Sequence, residues 1–151
     1  MGRQINLLVV HCTAGHREES KEGVLQSFRA RGWTSPGYHY LITLDGKRHQ
    51  LLDEGLVSNG AKGHNADSIH IAYTGGVRFL GGKATPEDTR SPEQKASLRQ
   101  VLTELRHRYP HARILGHRDL SPDLNGNGTI EPQEWIKACP CFDAQREYHD
   151  I

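Results

Sequence analysis

The sequence predicts an α/β fold, with a mixed central β-sheet of about five strands flanked by helices. Three observations carry that expectation. Short β-branched and Leu-rich runs alternate with segments of helical spacing. The chain has 151 residues, 35% hydrophobic and 25% charged, which suits one core. Its 16 glycines and 7 prolines are spread along the whole length and imply many tight connections. The expected organisation is a single domain over residues 1–151.

The elements follow in order. Ile5 to Val10 fits a buried strand that delivers His11 at its end, before Thr13-Ala14-Gly15 breaks the pattern. Ser20 can cap a helix over 21–31, with Val24, Leu25 and Phe28 on one face and Gly32 as its stop. Tyr38 to Leu44 and Lys47 to Leu52 flank Asp45-Gly46, a type I′ hairpin signal. Ser68 to Tyr73 alternates as a further strand and ends at Gly75-Gly76. Ser91-Pro92-Glu93-Gln94 is a capping box with Pro at the first helical position; Leu98, Val101, Leu102 and Leu105 continue at helical spacing to Tyr109-Pro110. Ala112 to Leu115 reads as the last strand and presents Gly116-His117 at its end.

Composition excludes several function classes. Lys plus Arg (19) nearly balances Asp plus Glu (18), so total charge gives no case for nucleic acid or an anionic membrane surface. The cations at Arg106-His107-Arg108 oppose the negative end of a helix dipole, which explains them without a polyanion. The apolar run around Ile5 to Val10 is too short to span a bilayer, and the first residues carry no export signal. The expectation is a chain made in the cytoplasm, a monomer by default, with neither nucleic acid nor membrane as partner. Cys12, Cys139 and Cys141 form an odd set, the last two flanking Pro140, and read as thiols with chemistry or packing to do rather than as a disulfide framework.

The chain holds ten histidines. His11 and His117 fall at strand ends, and Cys139 lies in a Pro- and Cys-punctuated segment, so the three could meet at one sheet rim. Two imidazoles and a thiolate suit zinc. Three protein ligands leave a tetrahedral position for water, whose pKa falls to about 7 on the metal, the logic of a hydrolase. Spacing alone leaves the alternative open that each histidine is a satisfied or exposed side chain.

The surrounding segments, taken in order, add weight: Val10-His11-Cys12-Thr13-Ala14, Gly37-Tyr38-His39-Tyr40-Leu41-Ile42, Asp45-Gly46, Gly60-Ala61-Lys62-Gly63-His64-Asn65, Ser68-Ile69, Gly116-His117-Arg118-Asp119 and Lys137-Ala138-Cys139-Pro140-Cys141-Phe142-Asp143. Together they resemble the zinc-dependent N-acetylmuramoyl-L-alanine amidases of the type 2 family, which includes phage lysozyme-type amidases and peptidoglycan recognition proteins. The resemblance implies that His11, His117 and Cys139 are zinc ligands, that Tyr38 is the active-site tyrosine and that Lys137 is the lysine beside the metal. It implies hydrolysis of the amide between the lactyl group of N-acetylmuramic acid and L-alanine, with peptidoglycan or a muropeptide as substrate. For Tyr38 the plain alternative is an aromatic packing a core. His64 and Asn65, in a Gly-rich loop, are expected to line the substrate groove, or else a polar surface loop. Strand alternation turns Cys12 into the core and His39 away from Tyr38; Cys141 is not expected as a fourth ligand, since a closed site would exclude water. His70 departs from the pattern, which has a small residue after Ser-Ile.

Between His117 and Cys139 the chain reads Asp123-Leu-Asn125-Gly-Asn127-Gly128-Thr129-Ile-Glu131-Pro-Gln-Glu134, matching the calcium-loop pattern D-x-[DN]-x-[DN]-G-x5-E. Asp123, Asn125, Asn127, Thr129 and Glu134 would supply oxygens to a structural Ca2+, the alternative being an Asn/Gly-rich turn. Pro122 argues against an entering helix. Rival functions at this stage are a non-catalytic peptidoglycan-binding module, a calcium-dependent interaction protein and a cysteine hydrolase using Cys139.

Overall fold

A computed structural model describes residues 3–151; Met1 and Gly2, which open the stretch read for an export signal, lie outside them. The central sheet has five strands: β1 (Leu7–Cys12), β2 (Tyr40–Ile42), β3 (Arg48–Gln50), β4 (Ser68–Tyr73) and, last in the chain, β7 (Arg113–Gly116). Their spatial order is β3-β2-β4-β1-β7. β1 lies parallel to both β4 and β7, and β2 parallel to β4; β3 runs antiparallel at the edge. The mixed α/β sheet predicted from the alternation of elements is therefore present.

β1 and β4 are buried on both faces, which is why they read as nearly unbroken apolar runs. On one face Leu8, Val10, Cys12, Ile69, Ile71 and Tyr73 pack against Leu98, Val101, Leu102 and Leu105 of α2 (Pro92–Arg108). On the other, Leu41 and Ala72 pack against Val24 and Phe28 of α1 (Lys21–Ala30). The capping box of α2 forms in full, with Ser91 Oγ accepting from Gln94 N and Gln94 Oε1 from Ser91 N. Ser20 caps α1 by accepting from Gly23 N, and Gly32 follows its end with φ +81°.

Two features differ from the sequence expectation. The β2–β3 turn is not type I′, because only Gly46 (φ +85°) has positive φ and Asp45 does not. Gly46 N donates to Thr43 O and Thr43 N to Lys47 O, which is a three-residue loop with glycine in the left-handed position. The Asp45 carboxylate accepts from Thr43 Oγ1 and Lys47 N, and so stabilises this longer turn. In addition, β5 (Val77–Leu80) and β6 (Lys83–Pro86) form a separate antiparallel hairpin that the sequence pattern did not signal. A short helix α3 (Ala144–Glu147) closes the chain against the α2 side.

Candidate metal centre and groove

The centre is built where three chain segments meet. His11 lies within β1, on the face opposite Leu8, Val10 and Cys12, and is buried. His117 opens a 3-10 turn (His117–Leu120) directly after β7, the parallel neighbour of β1, which brings the two rings to 4.7 Å between centroids. Cys139 arrives from the C-terminal segment. Its carbonyl accepts from Arg118 N at 2.8 Å, and its sulfur accepts from Cys12 N at 3.1 Å. Gly116 permits this approach, since a Cβ there would lie 2.6 Å from Pro140 Cδ.

One ligand atom from each of His11, His117 and Cys139 lies within 4.8 Å of the others, and among the described residues no other His, Cys, Asp or Glu group gathers in this way. Burial, followed by His70, His117 and Lys137, holds His11 well below the ordinary histidine value. Burial and then Lys137 hold His117 down to about 4. Both imidazoles are therefore neutral at pH 7, the form that binds a metal. The donor set of two neutral imidazoles and a thiol fits zinc and leaves room for a further ligand.

The trio lies on the wall of a groove of about 430 Å³. Tyr38 lies beside it, its ring 5.2 Å from that of His11 and its hydroxyl donating to Cys12 O at 3.3 Å. Burial, then Cys139 and Cys12, lifts the Tyr38 phenol well above its usual range, so it stays a neutral donor. Exposed Lys137 lines the same groove. His64 also lines it, together with Lys62, Arg31 and Trp33. Asn65, expected there beside His64, instead turns inward: its Oδ1 accepts from Ala61 N at 2.8 Å and lies 3.0 Å from His70 Nε2. His39 is fully buried and stacks on His70, away from the groove.

The other thiols stay out of the centre. Cys12 packs in the core on the α2 side, with its sulfur 3.9 Å from that of Cys141, and Cys141 Sγ donates to Gly76 O. The segment bearing Cys139 is fixed from below by Tyr73 Oη, which donates to Pro140 O at 2.6 Å.

The loop 123–134 is held by its own hydrogen bonds. Asp123 accepts from Gly126 N and Gly128 N; buried Glu134 accepts from Leu124 N, Asn125 N and Glu131 N; Glu131 accepts from the side-chain amides of Asn125 and Asn127. Its three carboxylates do not gather at one point. The arrangement gives the expected calcium ion no support.

Comparison with known proteins agrees with this geometry. An endolysin of Enterobacteria phage K11 is 34% identical over 139 residues, covering 91% of this chain and 81% of that protein. An uncharacterised protein of Haemophilus influenzae is 49% identical over 100 residues, 66% of this chain and 84% of its own. Among solved structures, the Ph2119 endolysin from the Thermus scotoductus MAT2119 bacteriophage Ph2119 superposes with a TM-score of 0.68 at 26% identity, over 93% of this chain and 79% of that one. The family profile for N-acetylmuramoyl-L-alanine amidase matches residues 1–134, a span that holds His11, Tyr38 and His117 and stops short of Lys137 and Cys139. With nine-tenths of the chain matched and the groove built as described, this chain belongs to the N-acetylmuramoyl-L-alanine amidase family.

Proposed function

We propose that the chain hydrolyses the amide between the lactyl group of N-acetylmuramic acid and L-alanine in peptidoglycan, using zinc held by His11, His117 and Cys139. The observation that carries this reading is the meeting of the three ligand atoms on a groove wall that also presents Tyr38 and Lys137. Bound there, zinc would supply Lewis-acid polarisation of the scissile carbonyl and a lowered pKa for water.

The protein's own groups supply the rest. Lys137, an exposed point charge at the groove surface, stabilises negative charge developing on the carbonyl oxygen. Tyr38, kept protonated by burial, remains uncharged through neutral pH, and turning its hydroxyl from Cys12 O lets it donate a hydrogen bond at the reacting centre. Cys12 N–H donates to the Cys139 sulfur, a backbone hydrogen bond that holds this ligand atom in position. The phage endolysin relatives support a role in cell-wall lysis, acting on the wall after release from the cytoplasm. Among the described residues no helix is long and apolar enough to cross a membrane.

The test pairs metal analysis with product detection. Purified protein is expected to hold about one zinc per chain and to release L-Ala stem peptide from purified muropeptides, with both lost in Cys139→Ala. Zinc without release, under conditions where muropeptides bind, would instead identify a recognition module. Release that survives chelation would point to a cysteine hydrolase.

A further inference from the structure

His70 stands where the family pattern has a small residue, and its ring occupies space that this chain has cleared for it. A Cβ on Gly60 would collide with His70 Cγ and Nδ1, so the glycine and the imidazole fit only as a pair. The ring is fully buried. It is held by its own backbone N–H, which donates to His39 Nδ1 at 3.1 Å, and by stacking on His39 at an interplanar angle of 10°.

Hydrogen-bond direction can be followed through the ring atom by atom. Asn65 Oδ1 accepts from Ala61 N–H, which fixes the amide with its oxygen inward. That oxygen lies 3.0 Å from His70 Nε2, so this nitrogen carries the proton and donates. His70 Nδ1 is then a lone pair, 2.7 Å from His11 Nε2, which must be the N–H. The remaining nitrogen, His11 Nδ1, is left unprotonated, and it is the atom facing Cys139 Sγ at 3.8 Å. We propose that His70 is a positioning residue: with Asn65 and Ala61 it locks His11 in the Nε2–H tautomer and aims the Nδ1 lone pair at the metal position.

The inference rests on the reading of His11 as a zinc ligand. Outer partners of this kind commonly change metal affinity by about 10- to 100-fold, because a ligand free to rotate or to hold the wrong tautomer must be reorganised before it binds.

The experiment begins with metal-free protein, where long-range 15N–1H spectra of the imidazoles at neutral pH report which nitrogen is protonated. His11 and His70 are both expected as Nε2–H tautomers; an Nδ1–H tautomer at His11 overturns the proposal. Zinc affinity is then measured by competition with a chelator. His70→Ala is expected to give mixed tautomers at His11 and a 10- to 100-fold weaker affinity. His70→Asn, which sets a carbonyl oxygen close to the place of Nδ1, is expected to restore both. Unchanged affinity and tautomer in His70→Ala, or a loss that His70→Asn fails to rescue, overturns the relay in favour of packing alone. Should His70→Ala not fold, the wild-type tautomer and His70→Asn decide. A wild-type chain that takes up no zinc sinks the functional reading instead, and the metal-free spectrum separates the two failures.

Discussion

Single side chains in this protein are set by direction as much as by identity. Cys12 and His11 are neighbours in sequence, yet strand alternation sends one into the α2 core and the other to the groove wall, a division the sequence made legible. Asn65 was not legible in the same way, because its orientation depends on a hydrogen bond to a histidine five residues away rather than on any periodicity. Gly116 is a comparable case: Gly116→Ala would press on Pro140, move Cys139 and weaken zinc binding by about tenfold or more, measurable by chelator competition. The buried imidazoles also set a pH dependence. His117 titrates at about 4 and His70 at about 3 in the folded chain, against about 6.5 when unfolded. The unfolded state therefore binds more protons across that window. Stability of the metal-free protein, full above about pH 6.5, is expected to fall as pH drops toward 4, seen as a declining melting temperature.

Elements with a strong internal signal were readable and those held by context were not. The capping box and helical spacing placed α2, and Ser20 and Gly32 bounded α1. The β5–β6 hairpin escaped because its residues are mostly exposed and show no buried face to set a period of two. The β2–β3 turn was misread in type, since Asp45 uses its side chain to stabilise a longer loop while keeping its own φ negative. The 123–134 loop met every position of a metal-loop pattern, yet its oxygens close hydrogen bonds within the loop. Glu134→Ala would free the amides of Leu124, Asn125 and Glu131, and those amides are expected to exchange with solvent markedly faster by NMR.

At the scale of the molecule, the alternation of strands and helices was enough to give the α/β class, whereas the pairing order depends on contacts far apart in sequence. The family resemblance supplied the roles proposed for Tyr38 and Lys137, which no spacing rule reaches. One long-range clamp secures the C-terminal segment. The Arg90 side chain is 2% exposed, pairs with Asp88 at 2.9 Å and Glu147 at 2.6 Å, and lies 3.4 Å over the Phe142 ring. Arg90→Ala would leave both carboxylates without their cation and is expected to cost about 3 kcal/mol, read as a shift in the urea midpoint. Zinc affinity is expected to fall with it, because Phe142 and Cys139 share that segment.

His11 and Cys139 are separated by 128 positions, so the centre joins the first strand to the end of the chain. An ion held there, as proposed, would act as a reversible cross-link that closes the 128-position span between them into a ring. Its contribution to folding follows mass action, reaching about 4 kcal/mol when free zinc stands a thousandfold above the dissociation constant. On the proposed zinc reading, the persistence of the folded enzyme becomes a property of its surroundings as well as of its sequence: the same chain would be sturdy where zinc is plentiful and short-lived where it is scarce.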